Sequence, residues 1–185
     1  MGTLNYVANL TLDGYVADAD GGFDWIPPNA AVFAAHVERL AEVSTEVLGR
    51  KTYLLMRHWE TDHDDFTPDE QEFARRWREV EKVVVSSTLT PADLGTSRAR
   101  IVPRLDLAEL RKIVDDAPGA VSIFGPTTAA EAIRAGLVDE LELFVLPKVV
   151  GGGLRALPDD AELDLHLVDP RTFEDGTLYL RYRRR

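Results

Sequence analysis

Ser122-Ile123-Phe124-Gly125-Pro126-Thr127-Thr128-Ala129-Ala130-Glu131-Ala132 is the stretch whose reading decides the fold. Ala120, Val121, Ile123 and Phe124 form an apolar run without charge, the pattern of a strand covered on both faces. Gly125-Pro126 breaks the run. Thr127 or Thr128 stands where a helix cap belongs, and Glu131 follows Thr128 at the spacing of a capping box. Ala129, Ala130, Ala132, Ile133 and Ala135 continue as a helix that Gly136 stops. Leu137-Val138-Asp139-Glu140-Leu141 then leads into a second apolar strand. Two readings are open for the bend. It is an ordinary strand-to-helix turn with a capping threonine, or it presents free backbone N–H groups to an anion such as phosphate.

Composition narrows the choice. The chain of 185 residues has the length of one domain, spanning 1–185, with a full core. It is 45% hydrophobic and 29% charged, as globular proteins are. No run approaches the roughly 18 apolar residues of a membrane span, and the start, Met1-Gly2-Thr3-Leu4-Asn5-Tyr6, does not read as a signal peptide. There is no cysteine, which removes disulfides, thiolate nucleophiles and cysteine metal sites and fits a cytoplasmic location. The formal net charge of −11 argues against an extended nucleic-acid or anionic-membrane surface. An anionic ligand would need a local basic pocket, so arginine or lysine at a glycine turn carries weight.

In chain order, Leu4, Tyr6, Ala8 and Leu10 alternate with Asn5 and Asn9 in a first strand. Thr11-Leu12-Asp13-Gly14 turns out of it into Tyr15-Val16-Ala17. An acidic, glycine-rich loop follows, then Phe23-Asp24-Trp25-Ile26. Pro27-Pro28-Asn29 announces a helix carrying Val32, Phe33, Val37, Leu40 and Ala41, with His36 beside the apolar stripe. Glu46-Val47-Leu48 is a short strand. Gly49-Arg50-Lys51-Thr52-Tyr53 repeats the arrangement of the opening stretch, with two cations on the turn. His58 and His63 lie in an acidic segment whose spacing matches no ligand motif, and no metal site is expected. Thr67-Pro68-Asp69-Glu70 starts a helix with cap, proline and first-turn acids. Lys82-Val83-Val84-Val85 is a buried strand ending in Ser86-Ser87-Thr88, and hydroxyls at the carboxyl end of a strand suit a phosphate or a plain turn. Arg98 to Val102 gives a strand and Asp106 to Asp116 an amphipathic helix. Leu141 to Leu146 closes on Pro147-Lys148-Val149-Val150-Gly151-Gly152-Gly153, and the remainder alternates as a terminal hairpin around Glu174-Asp175-Gly176. Strands alternating with helices before a hairpin imply an α/β fold: one mostly parallel sheet, helices on both faces and an antiparallel edge.

Five of these stretches occur in the order found in the dihydrofolate reductase superfamily. They are Thr11-Leu12-Asp13-Gly14, Val47 to Tyr53, Val83 to Ser87, Phe124 to Thr128, and Leu137 to Leu141 with Pro147 to Gly153. The chain resembles small bacterial proteins similar to the reductase domain of the bifunctional riboflavin-biosynthesis deaminase-reductase, over nearly its whole length. The resemblance implies a dihydrofolate reductase-like fold and NADPH as hydride donor for a small pterin- or aminopyrimidine-like heterocycle. It also implies Gly49, Arg50, Lys51 and Thr52 together with Phe124, Gly125, Pro126, Thr127 and Thr128 around the pyrophosphate. Arg50, Ser86 and Ser87 would meet the adenosine 2′-phosphate, and backbone groups of Ala8 and Val16 the nicotinamide amide. The Asp13-Gly14 loop would be a mobile lid. Trp25, Phe33 and Tyr53 would line the substrate, with Asp24 or His36 delivering the proton, and similar domains pair as homodimers. The chain departs from the folate pattern at Val32-Phe33-Ala34, where no acid stands, and at Phe124-Gly125, where the family often has Gly-Gly. Two other readings follow from the first departure: a non-catalytic relative that binds a nucleotide or pterin, and a true folate reductase with a relocated acid.

Overall fold

Six parallel strands form the body of a single eight-stranded sheet. The computed structural model describes residues 2–25, 29–95 and 98–185. In chain order the elements are β1 (Leu4–Thr11), β2 (Tyr15–Ala17), α1 (Ala30–Leu40), β3 (Val43–Gly49), α2 (Arg50–Met56), α3 (Pro68–Glu79), β4 (Glu81–Val85), β5 (Ala99–Val102), α4 (Leu107–Asp116), β6 (Ala120–Phe124), α5 (Pro126–Arg134), β7 (Glu140–Leu146), β8 (Leu154–Arg155), β9 (Leu165–Thr172) and β10 (Leu178–Arg184). The sheet runs β5-β4-β3-β6-β1-β7-β10-β9. The pairings from β5 through β7 are parallel, while β10 runs antiparallel to both β7 and β9. The expected fold class therefore holds, terminal hairpin included. The pair β2–β8 is an addition: the glycine run after β7 does not merely close a strand but turns the chain back to pair with Tyr15 and Ala17.

Alternation along each strand divides the side chains between two faces. On one face Leu4, Tyr6, Ala8 and Leu10 of β1 pack with Val47, Val83, Val121, Ile123, Leu141 and Leu143 against Leu110 and Ile113 of α4 and Ala129, Ala132 and Ile133 of α5. On the other, Leu48 and Val84 meet Leu40 of α1, Tyr53 of α2, and Phe73 and Trp77 of α3. Val7, Phe144 and Tyr179 meet Ala35 of α1 there as well. Each face buries its apolar residues against helices, which is what a parallel sheet requires.

The helix starts are chemically distinct. Asn29 caps α1, its side chain accepting from the Ala31 and Val32 amides at 2.9 and 3.1 Å. The expected start at Pro27-Pro28 lies outside the described residues. Thr67 and Glu70 form the expected capping box on α3. At α5 the expectation needs correcting. Gly125, at φ +88°, is the N-cap, and the helix begins at Pro126. Thr127 and Thr128 sit inside the first turn instead of capping it. Proline at the first helical position, with its φ preset and no N–H to satisfy, decides this over the threonine–glutamate pattern.

Candidate active site

The carboxyl ends of the parallel strands form a row: Arg104 after β5, Ser86-Ser87 after β4, Gly49-Arg50 after β3, Gly125-Pro126 after β6, and Ala8 to Thr11 of β1. Register fixes the neighbours, with Gly49 opposite Val85 and Val7 opposite Phe124. The two glycine bends, at the ends of the adjacent strands β3 and β6, face each other. A Cβ on Gly49 would lie 2.6 Å from the Thr128 hydroxyl, and one on Gly125 would lie 3.5 Å from the Thr52 hydroxyl and 3.6 Å from that of Thr128. Neither α2 nor α5 has a side-chain cap, so the first N–H groups of both helices open into the space between the bends. At Gly49 a side chain would crowd that space, whereas at Gly125 it is the backbone, at φ +88°, that calls for glycine.

Three cations stand around these bends without an ion-pair partner among the described residues: Arg50, Lys51 and Arg104. The charge of Arg50 reaches Asp93, whose carboxyl is held below its usual range mainly by the Thr90 amide and hydroxyl it accepts, with Arg57 and Arg50 adding to this. Arg104 was not singled out in the sequence, where it follows Pro103 as an unremarkable strand end. It lines a cavity of about 250 Å³ between the β5–α4 connection and the start of α5, together with Val85, Leu105, Thr127 and Thr128.

The two serines after β4 separate. Ser86 is buried, and its hydroxyl accepts the Thr88 and Leu89 amides at 3.2 and 3.0 Å, so it builds the turn. Ser87 is exposed beside it. Of the residues expected at the substrate, Tyr53 is fully buried in the α2–α3 core, and its hydroxyl accepts the Gly95 amide at 2.9 Å. It is a packing residue, a correction that comes from the turn of α2 pointing it inward. Phe33 is half-buried and packs on Trp59 and Phe73 at centroid distances of 5.6 and 5.3 Å. Trp25 is half-buried in the loop before α1, and Asp24 beside it is exposed.

His36 projects from α1 onto Phe144 of β7, ring over ring at 4.0 Å and 28°. Burial, and secondly the charge of Arg39, pushes its imidazole down to about 3. At neutral pH the ring is uncharged, which is against the proton-donor role expected for it. Ala8 is buried with its side chain on the α4–α5 face, and Val16 is half-buried on β2. The loop between β1 and β2, read above as a mobile lid, is fastened. The Asp13 carboxylate accepts the Gly151 and Val150 amides at 2.7 and 3.2 Å, Leu12 N–H donates to the Lys148 carbonyl at 2.8 Å, and Ala156 N–H donates to the Gly14 carbonyl at 2.9 Å.

Beneath α1 lies a layer of buried polar side chains that the sequence does not announce. The Arg39 guanidinium donates to Ser122 Oγ at 2.9 Å, approaches Glu46 at 3.8 Å and covers the Phe124 ring at 5.0 Å. Glu46 also accepts the Trp77 indole N–H at 2.9 Å, and burial raises its carboxyl despite Arg39. Lys82 donates to the Trp77 carbonyl and sits over that indole. Asn5 donates to Glu142 at 2.9 Å, and Tyr179 donates to the other Glu142 oxygen at 3.1 Å. No cluster of histidine and acidic residues among the described residues could hold a metal ion, and no helix among them is long and apolar enough to cross a membrane.

A mostly parallel sheet with two facing glycine bends and an antiparallel terminal hairpin defines a dihydrofolate reductase-like protein. Within that class the chain belongs to the RibD C-terminal domain family, whose model matches residues 3–179. An uncharacterized protein of Bacillus subtilis (strain 168), YyaP, is 27% identical over 176 residues, covering 94% of this chain and 90% of its own. A crystal structure from Shewanella sp. PV-4, named for riboflavin biosynthesis, superposes with a TM-score of 0.77 at 21% identity, over 99% of both chains. Dihydrofolate reductase from Enterococcus faecalis, complexed with NADP(H) and RAB-propyl, gives 0.64 at 19% identity, covering 99% of this chain and 96% of that one.

Proposed function

We propose that this chain is an NADPH-dependent reductase of a small heterocycle related to pterins or aminopyrimidines. The observation that carries the reading is the convergence of the Gly49 and Gly125 bends, where two uncapped helix starts and the Thr52 and Thr128 hydroxyls surround one space. Backbone N–H groups from both sides suit a diphosphate, and unpaired cations alongside suit its charge. The row of strand ends supports the rest of the reading. Gly49 to Thr52 and Gly125 to Thr128 hold the pyrophosphate. Arg50, Ser87 and Arg104 flank the adenosine end, where a 2′-phosphate distinguishes NADPH from NADH. Backbone groups of Ala8 and Val16 orient the nicotinamide, and the fastened Asp13-Gly14 loop shields it from water.

When bound, the cofactor supplies the hydride. The chain supplies the walls: Asn9 and Phe124 from the sheet, Val32 and His36 from α1, all half-buried. Asp24, or water at the mouth of the cleft, is left to deliver the proton, since His36 is neutral. Titration with NADPH, followed by cofactor fluorescence, tests the reading. Micromolar binding, with NADH at least tenfold weaker and that preference reduced in Arg50→Ala, is the expected result. No binding at millimolar NADPH overturns it. Binding without turnover across a broad heterocycle panel would favour a ligand-binding relative over an enzyme.

A further inference from the structure

We infer that Arg39 is a positioning residue for the diphosphate seat: from α1 it holds Ser122 and Phe124, and so fixes the bend at Gly125 that follows them. This rests on the reductase reading, in which the Gly125 bend takes the pyrophosphate.

Arg39 lies in the last turn of α1 and is buried. A buried guanidinium is expected to spend its donors on its counter-ion. This one does not. It stands 3.8 Å from Glu46, beyond a hydrogen bond, and the other Glu46 oxygen accepts the Trp77 indole N–H at 2.9 Å. Glu46 Oε1 and Arg39 Nε have no hydrogen-bond partner among the described residues. The close contacts of Arg39 go to β6 instead. Its Nη1 donates to Ser122 Oγ at 2.9 Å, and its guanidinium carbon lies 5.0 Å from the centre of the Phe124 ring. Ser122 and Phe124 are alternate residues, so both side chains leave the strand on the α1 face. One arginine grips two successive positions there.

Phe124 is the last residue of β6, and Gly125, at φ +88°, comes next. Register sets Phe124 between Val7 of β1 and Leu48 of β3. The neighbouring strands hold its backbone, and Arg39 covers its half-buried ring. Beyond Gly125 the chain turns at once into α5, whose first N–H groups have no side-chain cap. A single glycine, the most permissive of residues, separates Phe124 from that helix. A loose Phe124 would let the bend sway, and the N–H groups of α5 would lose their aim at the diphosphate. Arg50, Ser87 and Arg104, at the adenosine end, follow other strands. The effect of Arg39 is therefore confined to ligands that span the Gly125 bend.

Two ligands separate this role from general support of the fold: NADPH, whose diphosphate spans the bends, and 2′,5′-ADP, which carries the adenosine end without a diphosphate. NADPH is titrated by fluorescence and 2′,5′-ADP by calorimetry, with urea melts to verify folding. The double variant Arg39→Met with Glu46→Leu leaves neither member of the pair buried alone. It should bind NADPH about tenfold more weakly, the scale of a cation over a ring together with one hydrogen bond. Its affinity for 2′,5′-ADP should stay within about twofold of that of unmodified protein. Ser122→Ala, which removes only the hydrogen bond, should weaken NADPH about threefold and again spare 2′,5′-ADP. Unchanged NADPH affinity in the double variant, or equal weakening of both ligands, overturns the inference while NADPH binding by unmodified protein stands. If the double variant does not fold, Ser122→Ala decides by the same two outcomes. Failure of unmodified protein to bind NADPH overturns the reductase reading itself, and this inference with it. Failure of 2′,5′-ADP to bind unmodified protein overturns the placement of the adenosine end on which the contrast rests, and the inference likewise.

Discussion

The two faces of the sheet solve the same burial problem with different chemistry. Under α4 and α5 the packing is aliphatic, and the buried cluster holds a single hydroxyl, that of Tyr6, which donates to the Ala156 carbonyl at 2.6 Å. Under α1 and α3 the same strands carry Asn5, Glu46, Lys82, Ser122 and Glu142, all buried. The aliphatic face supports the cofactor half of the proposed cleft through α5. The polar face meets the half where a substrate would lie. Non-directional packing fixes α5 by shape alone. The polar layer fixes α1 by direction, because Arg39 must meet Ser122, Glu46 and Phe124 at once.

The difference has measurable consequences, and the largest lies in the polar layer. Arg39→Met should cost about 3 kcal/mol of unfolding free energy, because Glu46 is then buried without its cation. Adding Glu46→Leu to that variant should recover most of the loss, since an apolar pair removes the desolvation penalty on both sides. Ile133→Val on the aliphatic face should cost only about 1 kcal/mol. Urea melts of the four proteins decide the matter, and a double variant no better than Arg39→Met would show that the pair is not what holds α1.

A middle-sized effect is expected at the bends, where the two faces meet. Gly125→Ala forces a side chain onto φ +88° and should cost about 1–2 kcal/mol. Gly49→Ala has an ordinary backbone but a Cβ 2.6 Å from the Thr128 hydroxyl, so it should spare stability more and NADPH affinity less. Equal NADPH affinity in unmodified and Gly49→Ala protein would count against the space between the bends as the diphosphate seat.

The smallest effect separates the faces by pH. His36 titrates near 3 in the folded chain, against about 6.5 when unfolded. Below pH 6.5 the unfolded chain takes up a proton that the native state refuses, so stability falls as pH drops toward 3. Between pH 7.5 and 5.5 the unmodified protein should lose about 1 kcal/mol more than His36→Leu. Parallel slopes for the two proteins would show that His36 is not the group responsible.

The aliphatic face was legible in the sequence because it is written locally. Alternation around Val121 and Ile123, the spacing of Leu110 and Ile113, and the glycine–proline break each lie within a dozen residues. The facing of the bends was legible only through resemblance, since Gly49 and Gly125 lie on strands that register alone brings together. The polar layer could not be read. Asn5, Glu46, Lys82, Ser122 and Glu142 stand on five strands, and each alone looks like a solvent-facing residue. Arg104 was missed because a cation after a strand is ordinary until the sheet order sets it beside α5. Thr128 misled for a simpler reason: it has the sequence of a cap, but Pro126 had already started the helix.

The fastening of Asp13 to the Val150 and Gly151 amides has one more consequence. Gly153, two residues on, sits at φ +134°, and a Cβ there would run into the Ala17 carbonyl. The β1–β2 bend and the glycine run are thus stitched together at both ends, by a carboxylate at one and by backbone contact at the other. Any opening of the β1–β2 bend must lift both segments as a single flap, and evolution can lengthen or re-sequence one strip only by altering the other to match.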